Sequence, residues 1–229
     1  RRNLAAYSNC QVFLNYPFDK GFIPIANALN FAVIAGGLLP VCAYDLTTPD
    51  QPRLETIVHA IRCCHYSAHD FSRNTGEGIN NFSRMNMPIE MGMAVFHALD
   101  SQRSEHRCAF FVSTPNDYKA FASDLAGLDP KCHGNNEINA LSEMYDWLRN
   151  IVPRQLFNSQ PTIKIVEKFK EFIHKVSNIN GCGENGCASH AETRELMYQI
   201  CADNNWWDWR ETRLGKEEFP AIPIEWKHA

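Results

Sequence analysis

What this 229-residue sequence lacks narrows the field before anything it contains. No run approaches the ~20 apolar residues that span a bilayer, and the opening RRNLAAYSNC has no apolar segment of the signal-peptide kind. A soluble, cytoplasmic chain without a membrane partner is therefore expected. Excess charge of either sign is small, since 22 Lys+Arg against 26 Asp+Glu give a net −4. General nucleic-acid binding needs a basic face that displaces phosphate counterions, so a small-molecule partner is favoured instead. Neither a Walker loop nor a GxGxxG is present, which removes the usual phosphate cradles. Internal repeats and low-complexity tracts are missing too, and ordinary globular composition disfavours disorder. The sequence opens without an initiator Met, which leaves room for residues ahead of Arg1. An odd set of nine cysteines, scattered through apolar segments at Cys42, Cys63, Cys64 and Cys108, reads as reduced and buried thiols rather than disulfides.

What is present has the rhythm of an α/β protein. Short apolar runs alternate with segments of helical period, as in parallel strands joined by crossover helices. Strands are expected at Gln11–Leu14, Leu39–Tyr44, His65–His69, Cys108–Val112 and, more weakly marked, Lys131–His133. A helix over Ile23–Ala35 has Pro24 in its first turn and Gly36-Gly37 at its end. Arg53–Cys63 sets Leu54, Ile57, Val58 and Ile61 on one stripe. Further helices cover Met87–Leu99, the Ile138–Leu148 period and the Ile165–Val176 period. At NINGCGENGC the composition turns to Gly and Asn, which bounds a main domain at 1–178 and a tail at 179–229 with one helix, His190–Cys201. Trp206, Trp207 and Trp209 in that tail suit packing on the core or on another subunit.

Ligands of open parallel sheets bind beyond the carboxyl ends of the strands. Those ends carry NYPFD (Asn15, Tyr16, Asp19), Asp45, HDFSR (His69, Asp70, Ser72, Arg73) and STPND (Ser113, Thr114, Asp117). Any one of them is explained by turn chemistry; their convergence on one edge is more informative. Glu90, in NMPIEMGMA, is harder to explain by local structure. With Asn86 as the cap it falls one position beyond the capping-box acid, amid Ile89, Met91, Met93, Ala94, Val95 and Phe96, in a helix that should be largely buried. A buried carboxylate costs several kcal/mol, about 2 or more, unless something compensates it. The helix dipole or pairing with Arg73 or Arg84 would be a structural reason, and facing a ligand cavity, with Gly92 allowing close approach, a functional one.

The segments VFLNYPFD, VCAYD, RLETIVHAIRCCHYSAHDFSR, FSRMNMPIEMGMA and FASDLAGLD, over about residues 11–150, resemble a bacterial group of TIR-like (Toll/interleukin-1 receptor domain) proteins, akin in fold to nucleoside 2-deoxyribosyltransferases. The resemblance implies a flavodoxin-like sheet of about five strands with helices on both faces. It also implies an acid, here Glu90 in PIEMGMA, acting at the ribosyl C1′ of a nucleotide. Asn86 stands where the transferases carry an Asp, and no Trp precedes the acid as in the TIR WxxxE pattern, so the branch is divergent. By that resemblance the chain cleaves the nicotinamide glycosidic bond of NAD, as substrate and not cofactor, in antiphage defence, assembled with itself or with a defence-system partner.

Such cleavage passes through an oxocarbenium-like ribose that a carboxylate can stabilise or attack. The nicotinamide ring of NAD is already cationic and needs no protonation, whereas other nucleosides need a second group, Asp70 or His69. Glu90 and Asp70 are thus the catalytic candidates. Ser72 with Asp70 is assigned to ribose or base, Arg73 to phosphate, and Asn15 with Tyr16 and Asn86 to the rest of the binding site. The alternatives are a nucleoside deoxyribosyltransferase or hydrolase, and a non-catalytic nucleotide sensor. No metal is assigned: Cys182, Cys187, His190 and Cys201 have the residue types of a zinc site but unsuitable spacing.

Overall fold

A computed structural model describes residues 10–46, 52–73, 86–100, 105–120, 122–125, 127–180 and 189–206. Five strands, β1 (Gln11–Asn15), β2 (Leu39–Cys42), β3 (Tyr66–Asp70), β4 (Arg107–Val112) and β5 (Lys131–Cys132), form one all-parallel sheet in the order β2-β1-β3-β4-β5. That is the flavodoxin-like order. The helices are α1 (Ile23–Ala35), the short α2 (Ala43–Leu46), α3 (Arg53–Cys63), α4 (Asn86–Leu99), α5 (Glu137–Ile151), α6 (Thr162–Asn180) and α7 (His190–Asp203). Among the described residues no helix is long and apolar enough to cross a membrane.

Successive strand side chains point to opposite faces, and the two faces have different covers. Val12 and Leu14 join Tyr66, Ala68 and Phe111 in the larger cluster, packed by α1, α5, α6 and α7. Phe13 faces the other way, onto Ile57, Ala60 and Ile61 of α3 and Ala94 of α4. Phe110 and Val112 extend that second face onto Met87 and Met91. In the tail, α7 starts with a reciprocal cap between Ser189 and Glu192 and buries Met197, Ile200 and Cys201 in the larger cluster. Trp206 packs against the same cluster; Trp207 and Trp209 lie outside the described residues.

The end of α1 shows how tightly local sequence and packing are joined. Gly37, at φ +82, donates to Ile34 O and Leu38 to Val33 O, the paired bonds of a Schellman stop. Beside it a Cβ on Gly36 would stand 2.5 Å from the Phe157 ring. Gly36→Ala should therefore lower stability by about 1–3 kcal/mol, as overpacked cores do. Denaturant unfolding checks this, and the loss should shrink in a Phe157→Leu background.

Several strand ends differ by a residue from the sequence reading, and three larger differences bear on function. The second strand stops at Cys42 rather than Tyr44, because the Asp45 carboxylate accepts the Cys42 N–H at 2.9 Å and starts a helical turn there. Asn86 is the first residue of α4 and exposed, not a cap preceding it. Nor is α4 largely buried: Ile89, Phe96 and Leu99 are 51%, 75% and 76% exposed. A helix lying on a sheet buries one stripe, and here it is Met87, Glu90, Met91 and Ala94, at i, i+3, i+4 and i+7. The acid is part of that stripe.

Candidate functional site

Strand order runs outward in opposite directions from β1 and β3, so the crevice at their carboxyl ends is the topological switch point. Asn15, the last residue of β1, lies opposite His69 in register. Its Nδ2 meets His69 Nδ1 at 3.1 Å and Met87 O, in the first turn of α4, at 3.4 Å. Beyond His69 the contacts continue through the sheet: His69 Nε2 to Ser67 Oγ at 3.0 Å, Ser67 Oγ to His106 Nε2 at 2.8 Å, and His106 Nδ1 to Cys64 O at 2.9 Å. A carbonyl can only accept, so His106 Nδ1–H donates to it, and each earlier donor is then fixed in turn back to the Asn15 amide. Both imidazoles are neutral at ordinary pH. Burial, reinforced by His106, brings His69 down to about 3, and burial brings His106 down to about 4. The one proton of His69 is thus committed to Ser67, and its Nδ1 accepts from Asn15, so the ring turns no proton toward the Asn15 side where the sequence allowed an acid.

Glu90 lies one turn beyond Met87 on the same buried face and is 4% exposed. Desolvation raises its carboxyl from the ordinary 4.5 to about 7, with the Arg53 charge acting in the opposite direction. Among the described residues the carboxylate has no hydrogen bond and no ion pair. Arg73, one partner considered from sequence, is bound elsewhere; Arg84 lies outside the described residues. Gly92 is exposed, and no described atom lies within 4 Å of where its Cβ would be, so among the described residues it serves no close backbone approach.

The other candidates gather on the opposite side of the β3 end. Asp70 Oδ1 accepts the Ser72 N–H at 2.8 Å, and Oδ2 lies 3.0 Å from His133 Nε2. The Asn135 N–H donates to His133 Nδ1 at 3.1 Å, so the ring proton sits on Nε2 and goes to Asp70, with Ser72 Oγ at 2.9 Å. Asp70 and His133 are 1% and 0% exposed. Nothing singled out His133 in the sequence. Its signal is KCHGNN, a His leaving a short strand into a turn whose Gly134 and Asn135 both have positive φ.

No family model matches this chain, and no curated protein matches it. The geometry therefore carries the functional reading.

Arg73 grips Asp19 through Nε and Nη2 at 3.0 and 3.1 Å, both side chains about one-third exposed. Such a pair is worth less than about 1 kcal/mol, so an incoming phosphate can compete for the guanidinium. Tyr16 is 2% exposed, and its hydroxyl accepts from Asn30 Nδ2 at 3.0 Å, while burial pushes its pKa up. It supports the wall from inside the core. Asn86 is at the exposed start of α4. The structure thus brings Asn15, His69 and the Glu90 helix together at the switch point, and holds Asp70 with Ser72 and His133 on the far face of the same strand.

Proposed function

We propose that this protein is an N-glycosidase that cleaves the nicotinamide–ribose bond of NAD, with Glu90 as the carboxylate beneath C1′. The observation that carries the reading is Glu90 itself: a buried acid, without an ion pair or hydrogen bond among the described residues, in the helix whose first turn is pinned to the switch point by Asn15. Desolvation that makes a carboxylate uncomfortable strengthens its attraction to a positive charge developing on the sugar, because the local dielectric is low. Nicotinamide suits this site as a leaving group. It departs neutral from a cationic ring, and His69 offers no acid beside Glu90. Other nucleosides would need one, and Asp70, on the opposite side of the β3 end, is already engaged as an acceptor by Ser72 and His133.

In this reading Asn15 and Asn86 line the ribose side, Arg73 exchanges Asp19 for phosphate, and Tyr16, Ser72 and Asp70 hold the strand ends in shape. The TIR-like and deoxyribosyltransferase-like resemblance of PIEMGMA and HDFSR supports the same chemistry, a cytoplasmic antiphage setting, and assembly with itself or a defence-system partner. The exposed Ile89, Phe96 and Leu99 of α4 favour such assembly. Incubation of NAD with the purified protein at high concentration, followed by chromatography, tests the reading. Free nicotinamide with ADP-ribose or a cyclic product is expected; intact NAD alongside a cleaved deoxynucleoside would replace it with base exchange or nucleoside hydrolysis.

A further inference from the structure

Away from the switch point, the carboxyl end of β2 meets the start of α7. Cys42, the last residue of the strand, is wholly buried; Asp45 lies in α2 and His190 is the first residue of α7, their side chains 25% and 31% exposed. One donor atom from each lies within 4.8 Å of the other two. Cys42 Sγ is 3.6 Å from His190 Nε2, and His190 Nε2 is 3.5 Å from Asp45 Oδ1. The second distance is long for a direct N–H···O bond, which falls at about 2.7–3.2 Å. Both fit another geometry: zinc bonds of about 2.3 Å to sulfur, about 2.0–2.1 Å to nitrogen and about 2.0–2.2 Å to oxygen put tetrahedral neighbours roughly 3.3–3.6 Å apart.

We propose that Cys42 Sγ, His190 Nε2 and Asp45 Oδ1 bind one zinc-class divalent cation that clamps α7 to the sheet. A thiolate, an imidazole and a single carboxylate oxygen select a borderline-soft ion over magnesium or calcium. Binding breaks the hydrogen bond that the Cys42 thiol donates to Asp45 Oδ2 at 3.1 Å and forms the sulfur–metal bond as the thiol proton leaves to solvent; the partly exposed Asp45 and His190 give the ion its path in. Three protein donors leave a fourth position for water or an outside ligand. Arg194 completes the arrangement. It holds Asp45 through Oδ2, at 2.6 and 2.9 Å, and so turns Oδ1 toward His190. None of its three ligands is a residue assigned to NAD, although Cys42 adjoins Tyr16, so the metal test is read without NAD.

The test uses the full chain, reduced, treated with a chelator and titrated with Co2+. One Co2+ per chain should bind, with thiolate-to-cobalt charge-transfer absorption and the intense visible bands of a tetrahedral ion, both displaced by Zn2+, and Zn2+ should raise Tm. Cys42→Ser should lose the charge-transfer band. His190→Ala should weaken Co2+ binding by roughly 100-fold or more. Should Cys42→Ser fail to fold, Asp45→Asn and His190→Ala, both at partly exposed positions, carry the comparison. The proposal is overturned if the parent protein gives no charge-transfer band. It is equally overturned if the band survives Cys42→Ser or His190→Ala, or disappears when Cys182 and Cys187 are replaced with Cys42 intact.

Discussion

Glu90→Gln should slow nicotinamide release by on the order of a thousand-fold, within the range for losing one group that handles charge or protons in a transition state, while making the folded protein more stable above neutral pH. The two effects have one cause. The folded state holds the Glu90 proton more tightly than the unfolded chain does, since its carboxyl is raised from 4.5 to about 7. The resulting stabilisation is complete below about pH 4.5 and is lost as the pH rises through about 7. Above that, the desolvated charge disfavours the folded state by about 3 kcal/mol, at about 1.4 kcal/mol per pKa unit. Glutamine keeps the shape without the charge. At pH 8 the variant should therefore melt about 6–12 °C above the parent, at about 2–4 °C per kcal/mol for a chain of this size, and at pH 4 the two should melt together. A variant less stable at pH 8 would mean that Glu90 holds the fold together through an ion pair.

Asp70→Ala is expected to have the largest effect in the opposite direction. Its carboxylate is wholly buried and serves both the His133 Nε2–H and the Ser72 N–H. Truncation strands those donors where water does not reach, which costs about 3 kcal/mol or more, or about 6–12 °C in Tm. Arg73→Ala breaks a bidentate pair that looks stronger on paper but is about one-third exposed, so the loss should stay below about 1 kcal/mol. Urea unfolding of the two variants side by side checks the ordering. An Asp70→Ala protein within about 1 kcal/mol of the parent would contradict the buried Asp70–His133 contact.

Local signals in the sequence were enough for several elements and not for others. Both ends of α1 are marked, by Pro24 and by Gly36-Gly37, and the bounds of α1 and α3 match the reading, but the buried face of α3 is Thr56, Ile57, Ala60 and Ile61, with Leu54 of the expected stripe 54% exposed. Apolar runs joined by helical segments also imply the parallel sheet. Residues brought together across the fold were not legible in the same way. Asp70 and His133 lie 63 positions apart, and a two-residue β5 sets their meeting. Cys42 and His190 are 148 apart. The width of the apolar face misled for α4. Composition alone does not distinguish a helix lying on a sheet from one enclosed by neighbours, and Phe96 and Leu99 turned outward. Glu90 was legible because a single acid inside an apolar helix conflicts with its surroundings whichever face is buried.

The account stands on an isolated carboxylate whose ionisation near neutrality controls attack on a sugar carbon. The most direct measurement is kcat/KM for NAD cleavage against pH, which reports the ionisations of the free protein. The account predicts activity that rises with pH, half-maximal near the value of about 7 set by burial of Glu90, and no such rise in what remains with Glu90→Gln. A profile that breaks near an ordinary carboxyl value, or one that Glu90→Gln leaves unchanged, would contradict it.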